Sequence, residues 1–269
     1  MTGNLSNEPF LHQQDNGHAV LLLHGLGGGV YEFSLLGQHL YQQGHTVCGI
    51  NYPGHNQRSS KMPASKWEDW YTHAEESYQA LARDHDHISI IGFSTGCMLS
   101  LELIHNHPTA IESLTLLSPF MKVRHQWYFG ATPETYVRVF GNYLHDVPRF
   151  SLPISDRNML KLAHETAYFR SFSIPSVKSA LELIERVKPK LPEITTPTLI
   201  VQSPHDRVVC PTGAHQLMET LGSTEKELLW LEKSNHVVML DVEREHVTKR
   251  ITQFLEPSRR RQNPHIVKS

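Results

Sequence analysis

A chain of 269 residues, 39% of them hydrophobic, holds enough apolar material for one substantial core and suits a single domain with an insertion better than two independent domains. A formal net charge of -2 gives no global electrostatic reason to expect nucleic acid or an acidic surface as partner, and the one charge run, Arg259-Arg260-Arg261, lies in a tail broken by Pro257 and Pro264. Three widely separated cysteines, Cys48, Cys97 and Cys210, fit reduced thiols better than a disulfide frame, and 19 scattered histidines show no H-E-x-x-H or C-x-x-C spacing that would suggest a metal.

Met1 to Asn16 has neither a cationic start nor an apolar segment of signal-peptide length, and no later stretch reaches the roughly 18 continuous apolar residues of a membrane span. The expectation is a soluble, cytoplasmic protein, monomer or homodimer. From Ala19 the chain runs Val20-Leu21-Leu22-Leu23, apolar without alternation, which predicts a parallel strand buried on both faces; it empties into His24-Gly25-Leu26-Gly27-Gly28-Gly29. Tyr31 to Gln43 reads as a helix closed by Gly44, Thr46 to Tyr52 as a second strand, Trp67 to Arg83 as a helix, and His87 to Phe93 as a third strand. Met98, Leu99, Leu101, Leu103 and Ile104 mark a packed helix that ends near Pro108, and Ser113 to Leu117 is a strand stopped by Ser118-Pro119. Thr198 to Gln202 and Lys226 to Leu231 complete the strands, accompanied by helices at about Pro211 to Leu221 and Glu243 to Leu255. Such alternation predicts an α/β architecture, a mostly parallel sheet joined by right-handed crossovers with helices on both faces.

Between Phe120 and Ile194 the alternation fails. No strand pattern occurs there, and three helical stretches do: one from Thr132-Pro133, one over Asp156 to Phe169, and one led by Ser173-Ile174-Pro175 with Val177, Leu181, Ile184 and Val187 on its apolar side. The expected organisation is therefore a core over residues 1–119, a helical insertion over 120–195, and the rest of the core over 196–269. The insertion is rich in aromatics, Trp127, Tyr128, Phe129, Tyr136, Phe140, Tyr143 and Phe150; most serve to attach it to its host, and a few are expected to line an apolar pocket.

The chemistry is carried by Gly92-Phe93-Ser94-Thr95-Gly96, a strand that stops on a serine and opens a helix. A residue held on so sharp an elbow presses its neighbours two positions away against adjoining backbone, where a Cβ would collide; an ordinary capped strand-to-helix loop is the alternative reading of these five residues. A serine hydroxyl needs an imidazole base and a carboxylate to orient it. In an open parallel sheet functional groups gather beyond the carboxyl ends of the strands, which picks out Asp206, four residues past Gln202, and His236, in Ser234-Asn235-His236 after the last strand. The order Ser, Asp, His belongs to the α/β-hydrolase architecture. Backbone N–H groups of Thr95 and of Leu26, in the glycine-rich loop, are placed to bind an oxyanion, with Gly25 and Gly27 beside it as substrate contacts. That loop matches neither a Walker motif nor a clean G-x-G-x-x-G, so nucleotide is set aside.

These residues resemble the α/β-hydrolase carboxylesterases, and within them the small bacterial esterases and monoacylglycerol lipases. The likeness runs from about Val20 to Leu255 through the His-Gly-Leu-Gly-Gly loop, Asn51-Tyr52-Pro53-Gly54-His55, the elbow, Pro197 to Asp206, and Ser234-Asn235-His236 followed by Asp241. It departs where Cys97 replaces a usual glycine and Asn56 the second glycine of Gly-His-Gly. The resemblance implies an α/β-hydrolase fold with a helical lid, a Ser94, Asp206, His236 triad and a Leu26, Thr95 oxyanion hole. The expected activity is hydrolysis of a small-molecule carboxylic ester through an acyl-enzyme, without metal or organic cofactor, nucleic acid or stable membrane insertion. An apolar insertion, and no sign of buried charge near the elbow, point to short- to medium-chain uncharged acyl groups. Monoacylglycerol lipase and thioesterase are the other enzymatic readings, and a non-catalytic ligand- or partner-binding protein is the reading from another class.

Overall fold

The computed structural model describes residues 4–15, 17–124, 135, 137 and 145–256. The helix expected from Thr132-Pro133, the aromatics Trp127, Tyr128, Phe129, Tyr136, Phe140 and Tyr143, and the Arg259-Arg260-Arg261 run lie outside these residues. In chain order the elements are β1 (Phe10–His12), β2 (His18–Leu23), a 3-10 turn (Val30–Phe33) leading into α1 (Ser34–Gln42), β3 (Thr46–Ile50), α2 (Trp67–Ala82), β4 (His87–Phe93), α3 (Thr95–Asn106) and β5 (Ser113–Leu117). There follow β6 (Asp146–Pro148), α4 (Arg157–Thr166), β7 (Ser171–Ser173), α5 (Ile174–Val187), a 3-10 stretch (Lys188–Glu193), β8 (Thr198–Gln202), α6 (Thr212–Thr220), β9 (Lys226–Trp230) and α7 (Arg244–Leu255).

Continuous apolar runs became the middle of the sheet. Strand β2 is buried along its whole length and pairs with β3 on one side and β4 on the other, in a seven-stranded sheet of order β1-β3-β2-β4-β5-β8-β9. Every neighbouring pair from β3 to β9 is parallel; β1 adds to the edge antiparallel. Because side chains alternate across a strand, β2 feeds both faces. Ala19, Leu21 and Leu23 join Ile88, Ile90, Leu114 and Leu116 under α2, α3, α5 and α6, while Val20 and Leu22 join Ile91, Phe93, Leu199 and Val201 under α1 and α7. Burying each of the valine, leucine, isoleucine and phenylalanine side chains among them is worth about 1.5 to 3 kcal/mol. The register brings Ile50, Leu23, Gly92, Leu116 and Ile200 into line across five strands, so the loops that leave these strands rise from one rim.

The structure departs from the sequence reading in short strands. The interval 120–194, expected to hold none, contains β6 and β7, paired antiparallel with Asp146 opposite Ser173. Strand β1 is likewise unanticipated. Each has three residues, too few for alternation to register, and each is made by pairing with a distant segment. Helix α4 also stops at Thr166, three residues before the expected Phe169, because Ala167 turns extended. Among the described residues no helix is long and apolar enough to cross a membrane.

Helix α3 lies deep in the molecule, buried from Thr95 through Ile104, and it carries a carboxylate with it. Glu102, 1% exposed, meets Arg186 Nε of α5 at 2.8 Å and Lys190 Nζ of the following 3-10 stretch at 2.7 Å. Both cations keep some contact with water, which limits the loss if the carboxylate is removed. Glu102→Ala is expected to lower the urea-derived unfolding free energy by about 1 to 3 kcal/mol, and Glu102→Gln by less; parent-like stability of the alanine variant would remove this bridge from the account of how α5 is held.

Candidate active site

Ser94 joins β4 to α3 with φ 53° and ψ -115°, a left-handed conformation that costs a non-glycine residue about 1 to 3 kcal/mol. The surroundings enforce it: Ser94 N donates to Leu117 O at 2.9 Å, and Phe120 N donates to Ser94 O at 3.2 Å. A Cβ on Gly96 would lie 2.0 Å from Leu23 O, and one on Gly92 would lie 2.6 Å from Gly96 O. These glycines are therefore required by close backbone approach. Cys97, buried beneath the elbow, directs its Sγ at Gly92 O (3.2 Å) and Leu117 O (3.4 Å), and burial pushes this thiol well above its ordinary range.

His236 stands between the other two predicted residues. Its Nε2 lies 3.1 Å from Ser94 Oγ and its Nδ1 2.7 Å from Asp206 Oδ2. A carboxylate accepts only, which assigns the proton to Nδ1 and leaves Nε2 to accept from the serine hydroxyl. Asp206 is fully buried, and its other oxygen, Oδ1, accepts from Val208 N (2.8 Å) and Val209 N (2.9 Å). Burial, the largest influence, pushes this carboxyl up; the charge and hydrogen bond of His236 together with the two amides outweigh it and hold the group below the usual aspartate value. All three side chains occupy the rim that the sheet register creates.

The loop bearing His236 is tied down by residues that the sequence reading did not single out for this role. Asp241 Oδ2 accepts from Asn235 N at 2.6 Å, and its Oδ1 from Ser155 N at 2.9 Å and Asp156 N at 3.0 Å. Glu243 accepts from the amides of Glu232, Lys233 and Ser234 at 2.8 to 3.0 Å. Ser118 Oγ donates to His236 O at 2.8 Å, and the amides of His236 and Val237 donate to Pro153 O.

Ser94 and His236 open onto a cavity of about 620 Å³ that Gly25, Leu26 and Thr95 also border. Gly27 is not among its lining residues: its N–H donates to His55 Nε2 (3.0 Å) and its carbonyl accepts from Arg149 Nη1 (2.8 Å). Burial holds the His55 imidazole down to about 4, hence neutral and able to accept that bond. Phe120, Leu152, Ile154, Leu160, Phe172 and Val177 supply apolar wall, most of it from the interval 120–195. Of the aromatics expected there, Phe150 is 93% exposed and stands outside the cavity. A larger groove, about 870 Å³, runs along α5 past Lys178, Leu181 and Glu185, away from Ser94.

One feature of the wall is new. The sequence carries no sign of buried charge beside the elbow, yet Glu32, 2% exposed, lines the cavity together with Arg149 and Arg207. Burial is the main cause that pushes the Glu32 carboxyl up to about 8; Arg149 and the amides of Gly25 and Gly29 pull the other way. The shift favours the neutral form of Glu32 at neutral pH. In the sequence it is one glutamate near a helix start, where acidic residues are commonplace.

A family model described as serine aminopeptidase, S33, matches residues 14–243. A carboxylesterase of Bacillus subtilis (strain 168) is 26% identical over 239 residues, 88% of this chain and 92% of that protein. A thermostable monoacylglycerol lipase of Bacillus sp. (strain H-257) is 28% identical over 247 residues, 92% and 93% of the two chains. Among solved structures, one from a study of the metagenome-derived lipolytic enzymes LipS and LipT superposes with a TM-score of 0.82 at 24% identity, covering 94% of this chain and 98% of that one. A monoacylglycerol lipase of Paleococcus ferrophilus gives 0.78 at 19% identity, with 92% and 98% covered.

Proposed function

Because the chain belongs to the serine aminopeptidase S33 family, with the α/β-hydrolase fold, we propose that it is a serine carboxylic ester hydrolase that works through an acyl-enzyme formed on Ser94. The observation that carries this reading is the continuous path Ser94 Oγ, His236, Asp206, with spacings of 3.1 and 2.7 Å, at the floor of a largely apolar cavity. In the reaction Ser94 Oγ attacks the ester carbonyl while His236 Nε2 takes its proton, and Asp206 stabilises the imidazolium that forms. The amides of Leu26 and Thr95 receive the oxyanion. His236 then protonates the leaving alcohol, and a water activated by the same nitrogen releases the acid.

Ester rather than amino-terminal peptide hydrolysis is favoured by the charges around the cavity. An aminopeptidase has to hold an α-ammonium group, whereas this wall offers the cations Arg149 and Arg207. The names of the two Bacillus relatives point the same way, and the second supports monoacylglycerol lipase as the narrower alternative. The apolar wall of Leu152, Ile154, Leu160, Phe172 and Val177 supports a small-molecule ester with a short- to medium-length uncharged acyl chain, the charged groups Arg149 and Arg207 notwithstanding. The same reading takes residues 120–195 as a cap whose Leu152, Phe172 and Val177 wall the cavity, and a cytoplasmic setting in which Cys48, Cys97 and Cys210, all free, stay reduced.

A fluorophosphonate probe tests the reaction class. Covalent attachment to Ser94, found by peptide mass spectrometry, is the expected result; reversible binding with no adduct would make the protein a ligand-binding relative of the hydrolases. A panel of p-nitrophenyl, glyceryl and thioester substrates of increasing acyl length then orders the esterase, monoacylglycerol lipase and thioesterase readings by kcat/KM.

A further inference from the structure

The glycine-rich loop that bears Leu26 is held from three sides, and one of its holders can change charge. His55 takes the N–H of Gly27, Arg149 takes its carbonyl, and Glu32 Oε2 lies 3.3 Å from Gly25 N, adjacent to the Leu26 amide. The Glu32 carboxyl fills the space beneath the turn so closely that a Cβ on Gly28 would stand 2.3 Å from Oε1. It is part of the wall that also includes Ser94.

We propose that Glu32 is a positioning residue for the reaction: its carboxyl, wedged under residues 25–29 and bonded to Gly25 N, orients the neighbouring Leu26 amide toward the place where the oxyanion forms. The inference rests on the reading above that Leu26 N–H is an oxyanion donor. Its physical basis is that preorganised donors act on a developing charge in a site with little water, where an anion next to the donor opposes the same charge. Among the described residues, the ionisable and charged groups that act on Glu32 are Tyr31, beside it in the 3-10 turn, Tyr52, beyond the end of β3, and Arg149 from the segment after β6; beyond this set, Arg207 and His236 share the cavity wall. Burial raises both phenols, so they stay neutral through the relevant range, and Arg149 is the one cation of the set. The Glu32 carboxyl is raised from its ordinary 4.5 to about 8, so the neutral form dominates below that pH and the anion above it. Arg149 partly offsets the anion and is itself anchored to Gly27, so ionisation also redistributes the forces on the loop.

The test is the pH dependence of kcat for p-nitrophenyl butyrate between pH 6.5 and 9.5, corrected for uncatalysed hydrolysis, with circular dichroism at each pH to certify the fold. For the parent, kcat is expected to fall about five- to tenfold across pH 8 to 9.5. Glu32→Gln, which keeps the shape and an oxygen for Gly25 N, is expected to lose about threefold at pH 7 and then to show no decline above pH 8. Glu32→Ala, which empties the space under the turn, is expected to lose about thirtyfold in kcat at pH 7 with KM changed by less than about threefold. A parent profile flat to pH 9.5, or an alkaline decline retained in Glu32→Gln, overturns the proposal. Ser94→Ala assayed alongside separates the two levels: an inert Ser94→Ala with a flat parent profile defeats the role of Glu32 alone, whereas an active Ser94→Ala defeats the ester-hydrolase reading and this inference with it.

Discussion

Ser94→Ala is expected to lower kcat on p-nitrophenyl butyrate by about 10⁴-fold or more while the thermal midpoint shifts by no more than a few degrees. The asymmetry follows from what the hydroxyl touches. Its partner is His236 Nε2 at 3.1 Å, while the elbow itself is held through the backbone by Leu117 and Phe120 and by the glycines packed against Leu23 and Cys97. Alanine keeps the Cβ and every one of those restraints. Equal hydrolysis by the variant and the parent would reject Ser94 as nucleophile.

Asp206→Asn is expected to cost about 10³- to 10⁴-fold in kcat. The direction can be derived from the geometry. Val208 N and Val209 N both donate to Oδ1, so an asparagine keeps its oxygen there and turns its NH₂ toward His236 Nδ1, 2.7 Å from the present Oδ2. Two donors then face each other, and the imidazole escapes by moving its proton to Nε2, where it can no longer accept from Ser94. Asp156 and Asp241 are the controls. Asp156 caps α4 through the amides of Asn158 and Met159 and pairs with Arg244, and Asp241 accepts backbone amides; neither touches the imidazole. If Asp156→Asn or Asp241→Asn abolished turnover and Asp206→Asn did not, the acid would be misassigned. Stability carries a linked signature. The Asp206 carboxyl is held below its ordinary 3.8, so its contribution is fully present above about pH 4 and is lost as the pH falls through the lower folded-state value. That acid-side loss should be absent from Asp206→Asn unfolding curves.

How far the sequence could be read depended on the range of the interaction. Val20-Leu21-Leu22-Leu23 announced itself as a central strand because burial on both faces leaves a local, unbroken apolar record. The elbow was legible from its own spacing: Gly92 is forced by Gly96 O inside the motif, although the backbone that forces Gly96 is Leu23 O on the neighbouring strand. Asp206 and His236 could be found because the parallel sheet sends both loops to one rim. Strands β1, β6 and β7 left no such record, their pairing partners lying at a distance. Asp241 entered only through the family likeness and Glu243 not at all, because their anchoring role lies in the amides of a loop folded back upon them. Glu32 was hidden most completely: only the fold turns a glutamate beside a glycine loop into a buried acid.

The joint between the base and the cavity has an evolutionary corollary. Pro153 receives the amides of His236 and Val237, and Asp241 grips Asn235 along with Ser155 and Asp156, so the wall formed by Leu152 and Ile154 and the imidazole move as one piece. Any remodelling of that side to admit a different acyl group would disturb the proton relay at the same stroke. Among the described residues, Phe172 and Val177 carry no such bond to Ser94, Asp206 or His236, which makes them the part of the wall where new substrate preferences can be acquired without loss of turnover.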